Sequence, residues 1–166
     1  VDFTVRGLAR AIATAQQVTK LAQRVKQLNS EGTARGTRDL ALATVWAGLC
    51  SSLGPRGRQW APRLAEAPTL CLDLRDAPDD EGILHERNML LHALGCGGGD
   101  FDERGQILDG ALKKLAESPL ADYVVSVDLG GCGQITSVAE LAKCAQLSSV
   151  NLEGCKNITD AGVAEL

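Results

Sequence analysis

The chain of 166 residues is poor in rings: aromatic residues make up 3% of it, namely Phe3, Trp46, Trp60, Phe101 and Tyr123. That scarcity removes the stacking series by which single-stranded nucleic acids are usually held. No apolar run reaches the roughly 20 residues that a membrane-spanning helix needs, Leu40–Cys50 being the best candidate. The protein is therefore expected to be soluble or peripheral to a membrane. Its six cysteines, at 50, 71, 96, 132, 144 and 155, form no Cys-x-x-Cys pair. A zinc knuckle and a thioredoxin-type site are both excluded by that spacing, and reduced, mostly buried thiols are expected.

Acidic residues are nearly missing from the first part of the chain. Residues 1–63 hold ten Lys/Arg against Asp2, Glu31 and Asp39, whereas residues 64–166 hold seven against eighteen acids, so a total of −4 conceals halves of +7 and −11. Such a split is expected of a basic interaction arm joined to a body of different chemistry. Between Phe3 and Ser30 there is no acid at all, and Ala, Thr and Gln abound, a composition close to that of organellar transit peptides. The segment is read as a retained helix in an organellar setting, and a first residue of Val rather than Met as the mark of a processed or partial chain.

Leucine (24) and alanine (22) supply the apolar content instead. Val5, Leu8, Ile12, Ala15, Val18, Leu21, Val25 and Leu28 recur at steps of three or four, which predicts a helix over about 4–29 with one apolar side. Asn29–Gly36 reads as a turn, a second helix runs from about Thr37 to Leu53, and Gly54-Pro55-Arg56-Gly57-Arg58 breaks it. Residues 1–63 are thus a basic arm built on a helical hairpin. Arg6, Arg10, Arg24, Arg56, Arg58, Trp60 and Arg63 are its candidate partner-binding residues, Trp60 because it stands among three arginines within a few positions. Trp46, inside the apolar run, is assigned to the core.

From about residue 68 the period changes. Val127-Asp-Leu-Gly-Gly-Cys132-Gly-Gln-Ile135-Thr136 and Val150-Asn-Leu-Glu-Gly-Cys155-Lys-Asn-Ile158-Thr159 match at a constant offset of 23, and each is followed by a Val-Ala-Glu-Leu stretch read as helical. A strand, a cysteine turn and a helix at this spacing resemble the cysteine-containing leucine-rich repeats, strongly over residues 120–166. The resemblance extends to F-box substrate receptors and to a leucine-rich-repeat-like mitochondrial ATP synthase coupling factor. It implies an α/β fold, a short repeat solenoid behind the helical hairpin, and a non-enzymatic protein-interaction module or accessory subunit of a larger assembly. A substrate-recognition fragment of an F-box ubiquitin ligase is the alternative, although residues 1–60 contain no recognisable F-box. A degenerate copy is read at Leu72-Asp-Leu74, so that residues 64–119 are expected to be a degenerate repeat or a cap, with helices at about 83–94 and 102–117. The chain stops inside a repeat helix, so the last layer is expected to need a cover.

Strand alternation puts the aliphatics of each copy inward and its polar residues outward. The outward columns Asp73/Asp128/Asn151, Ser126/Ser149 and Arg75/Gly130/Glu153 are the candidate binding face. Protein partners are expected, without nucleic acid, metal or cofactor. Catalytic motifs fail on inspection: His85-Glu86 is followed by Met89 where a second zinc-ligating His belongs, and Gly95-Cys-Gly97-Gly-Gly99-Asp100 ends a would-be phosphate loop on an acid. That glycine stretch reads as a flexible connection that leaves Cys96 accessible. A cysteine-dependent enzyme is the remaining alternative, weakened by the acids near Cys96.

Overall fold

The computed structural model describes residues 5–30, 37–164 and 166. From Glu31 onward the turn read at Asn29–Gly36 lies outside the described residues, as do Asp2, Phe3, Arg35 and Glu165. Helix α1 (Val5–Ser30) packs along α2 (Thr37–Ser52), a 3-10 turn at Gly54–Arg56 leads into α3 (Gly57–Leu64), and strand β1 (Leu70–Asp73) follows. Then come α4 (Glu81–Ala93), α5 (Asp109–Glu117), β2 (Val124–Asp128), β3 (Ser149–Asn151) and a single turn, α6 (Asp160–Val163). The three strands form one parallel sheet in the order β1-β2-β3.

This architecture corrects the solenoid expectation. The described residues are helix-dominated, 58% helix against 9% strand, with a small three-stranded parallel sheet, and no solenoid is indicated among them. The physical reason lies in the spacing of the layers. Asp128 pairs with Asn151, 23 residues on, but with Asp73, 55 residues back, because α4 and α5 fill that connection where a regular repeat would have one short helix. Residues 102–108, read as the start of a helix, form a turn in which Asp102 Oδ1 accepts from Arg104 N and Gln106 N, so α5 begins only at Asp109. The Val-Ala-Glu-Leu stretches shrink likewise, the first to a 3-10 segment at Ala139–Lys143.

Helix α2 sits at the centre, touching α1, α3, α4 and β1. Its inward side carries Leu40, Ala43, Trp46 and Leu49, each 0% exposed, and the Trp46 ring meets Tyr123 edge-on at 5.3 Å. Strand β1 contributes Leu70 and Leu72, β2 contributes Val124 and Val127, and all belong to one continuous core. The approach of α3 to α2 depends on Gly57, where a Cβ would fall 1.9 Å from the Cys50 carbonyl oxygen.

The edge of β1 away from β2 is not open. Asp39, in the first turn of α2 and 1% exposed, accepts the Cys71 backbone N–H through Oδ2 at 3.0 Å. Its other oxygen is held by Arg38 at 2.7 Å. A carboxylate therefore takes the place of the next strand, and the helix that carries it blocks further pairing. Replacing Asp39 by Ala leaves a buried N–H unsatisfied, so urea unfolding of Asp39→Ala should show a loss of about 1–3 kcal/mol. Asp39→Asn, which keeps an acceptor oxygen, should lose less; equal losses would remove this role from the carboxylate.

Candidate interaction surfaces

Two of the three outward columns form as registered neighbours, and the third, Arg75/Gly130/Glu153, lies beyond the paired strands. Asp73 faces Asp128, which faces Asn151, and Ser126 faces Ser149. Their chemistry is nonetheless largely used internally. Each Asx side chain ends its strand by accepting the backbone N–H two residues on: Asp73 Oδ1 from Arg75 N at 3.3 Å, Asp128 Oδ1 from Gly130 N at 2.9 Å, and Asn151 Oδ1 from Glu153 N at 3.0 Å. Asn151 Nδ2 also donates to Asp128 Oδ1 at 3.1 Å, tying the column together. Arg75 Nε lies 3.2 Å from Asp73 Oδ2, and Glu153 is exposed. The ladder is first of all a set of chain-turning devices.

The cysteines repeat in the same way. Cys132 Sγ donates to the Leu74 carbonyl at 3.4 Å and Cys155 Sγ to the Leu129 carbonyl at 3.0 Å, each thiol reaching the preceding layer. Gly131 (φ 74°) and Gly154 (φ 76°) make the turns possible, in a backbone region that strains any side chain. The β1 layer has Asp76 at this position, and no non-glycine residue of the described chain has positive φ, so its turn follows another path. Burial pushes the Cys132 thiol up to about 12, with Cys155 adding to the shift, and burial lifts Cys50 to about 11 against the pull of Arg58.

Cys96 departs from the reading made of it. It is 5% exposed, and burial foremost, then the nearby Asp100, raise its pKa. The glycine loop over it is fastened rather than loose. Asp100 Oδ2 accepts from Gly97 N at 2.9 Å and from Lys114 Nζ, while Lys114 also donates to the Gly95 carbonyl at 2.8 Å. Among the described residues no group of three His, Cys, Asp or Glu is placed to hold a metal ion.

In the basic arm, Arg6 and Arg10 stand on an exposed stretch of α1, and Arg24 is exposed nearer its end. Arg58 is committed, its Nη2 donating to the Glu117 carbonyl at 2.7 Å, which caps α5 and binds the basic half to the acidic one. Arg56 precedes α3 and is exposed. Arg63 places its guanidinium 4.7 Å from the Trp60 ring centre, an exposed cation–π pair. No helix among the described residues is long and apolar enough to cross a membrane.

Two structural residues escaped the sequence reading, Asp39 and Arg87. Asp39 had a visible signal, being the single acid between Glu31 and Glu66 and falling at a helix start. Arg87, 2% exposed, donates to the Gly105 carbonyl at 3.0 Å and to Asn88 Oδ1, and nothing in its sequence neighbourhood announces burial.

These features define a class, a small helix-dominated protein whose parallel sheet is closed at one edge and carries cysteine-turn layers at the other. Comparison adds no relative: no family model, no curated protein and no solved structure matches the chain.

The ladder yields a pH prediction. Burial foremost, with Asp128 and Asp80 nearby, raises the pKa of Asp73. The folded state then holds a proton more tightly than the unfolded chain, so this group's contribution to stability falls as pH rises from the ordinary carboxylate value through the raised one. Asp73→Asn keeps the turn acceptor, as Asn151 does, and removes that titration. The stability of Asp73→Asn relative to the parent should therefore rise with pH across this window in urea titrations, while Asp73→Ala, which removes the same titration, should run parallel to it and about 1 kcal/mol lower for the missing turn bond. A flat difference for Asp73→Asn would contradict the assignment.

Proposed function

We propose that the protein is a non-enzymatic interaction module, an accessory or scaffold subunit that receives a protein partner at the β3 end of its sheet. The observation that carries this reading is a contrast between equivalent residues. Val127, Leu129, Cys132 and Ile135 are buried, whereas their counterparts Val150, Leu152, Cys155 and Ile158 are only half-buried. The same side chains are covered in one layer and bare in the next. Beside them runs a groove of about 500 Å³ lined by Leu141, Leu147, Val150, Leu152, Val163 and Leu166. Among the described residues strand β3 pairs on one side only, and an unpaired parallel edge next to a groove of mixed polar and aliphatic lining suits an extended partner segment that adds a strand.

The cysteine-type leucine-rich repeat resemblance enters this reading for residues 120–166 alone, as two turns of the unit attached to a helical body. Binding at the end of the sheet also draws on residues first assigned to the outward face, since Ser149, Asn151 and Glu153 are exposed along it. The buried thiols with raised pKa values support a binding protein over a thiolate enzyme, because the thiolate is the nucleophile.

Val163 and Leu166 are 37% and 49% exposed, so charges there leave the core intact. Affinity capture with the parent chain and with Val163→Asp/Leu166→Asp should show a partner of constant stoichiometry that the variant loses by about tenfold or more, the loss of one or two anchor contacts. The thermal midpoint should stay within about 2 °C. Equal recovery on the two chains would refute the β3-end site.

A further inference from the structure

We propose that the basic N-terminal part of the chain is a docking surface for an anionic lipid membrane, with the first half of α1 lying along the headgroup layer and Trp60 as a second anchor. The surface uses none of the residues of the β3-end site.

The geometry begins with two unequal helices. α1 has 26 residues and α2 has 16, and they lie against each other with Gly48 opposite Leu21, where a Cβ would come within 3.9 Å of the leucine methyl groups. From Ala22 onward α1 buries Ala22, Val25 and Leu28 in the core. Before Val18 every described side chain of α1 is exposed. This overhang is not bare of apolar groups: Val5, Leu8 and Ile12, at steps of three and four on one side of the helix, are 86%, 63% and 51% exposed. Arg6 and Arg10 fall on the other side of the helix, and Lys20 flanks the stripe on the same surface as Ile12.

A second patch has the same character. Trp60 and Leu64, one helical turn apart on α3, are 42% and 40% exposed, with Arg63 over the indole and Arg56 a turn before it. Five of the eight large exposed hydrophobic residues among those described thus lie in a part of the chain that has no acid from Val5 to Ser30 or from Leu40 to Ala65.

That pairing of aliphatic and cationic groups selects the occupant. A nucleic acid would be attracted by the arginines but would find no stacking series, and a Val-Leu-Ile stripe would contribute nothing to it. A monolayer of anionic lipid uses both: the stripe enters the acyl boundary, the basic side chains meet the headgroups, and an exposed tryptophan settles at the interface. The helix is too polar to cross and so lies on the surface. An overhang of this length whose described side chains are all exposed is also a marginal helix in water, and the interface supplies packing for it.

The intact chain tests this by cosedimentation with phosphatidylcholine vesicles, with and without phosphatidylserine. Binding should appear with phosphatidylserine, weaken at high salt, and fall by roughly tenfold or more in Leu8→Glu/Ile12→Glu and in Arg6→Glu/Arg10→Glu, with circular dichroism of the body preserved. Trp46 is fully buried, so a blue shift of tryptophan emission on adding vesicles reports Trp60 and should vanish in Trp60→Phe. No sedimentation with phosphatidylserine vesicles would overturn the proposal, as would binding indifferent to Leu8→Glu/Ile12→Glu. A lipid-free dimer that the same variant converts to monomer would also overturn it, by giving the stripe to a second copy.

Discussion

Everything in the sheet depends on how β1 is finished. A parallel sheet of three short strands has two edges, and a row of unpaired backbone groups at either is a template for further pairing. Here the buried carboxylate of Asp39 accepts the Cys71 N–H and is itself neutralised by Arg38. The cost of burying that charge is offset by the ion pair and the hydrogen bond together. Because Asp39 belongs to α2, the same contact fixes the helix across the edge. α2 in turn is the element around which α1, α3 and α4 gather.

The consequence is a molecule with unlike ends. At the β1 end the stack stops against a helix; at the β3 end the cysteine-turn layers stop at half-covered side chains. The charge asymmetry follows the same axis of the chain, with the basic helices before β1 and the acidic turns after it. Arg58, donating to the carboxyl-terminal carbonyl of α5, is where the two halves are tied, and its position satisfies a helix end that the macrodipole makes negative. A protein organised this way suits the connecting role proposed above, between a lipid layer and a protein.

The sequence carried some of this and concealed the rest, for identifiable reasons. The 23-residue offset located the β2 and β3 layers, the cysteine pair and the Asx column, because an exact repeat constrains the register of both copies at once. The same offset suggested a solenoid, and there it misled. Two copies specify a stacking contact but not how many layers stack, and the 55-residue gap between Asp73 and Asp128 was filled by helices instead. The Asx residues looked available because strand alternation pointed them outward; that each would spend an oxygen on the turn after its strand is a matter of backbone path, not of alternation. Cys96 looked accessible because glycine implies freedom, yet Asp100 and Lys114 fasten the loop through contacts that cross from α5. Asp39 was countable as one of three acids among ten bases, and only its neighbours in space show what it does.

Hydrogen exchange of the native chain, followed residue by residue, tests the central claim most directly. If Asp39 and α2 close one edge and leave the other free, the Cys71 and Leu72 amides should exchange only through global unfolding, while those of Val150 and Asn151 exchange by local opening at a lower free energy. Protection of β3 equal to or greater than that of β1 would contradict the account.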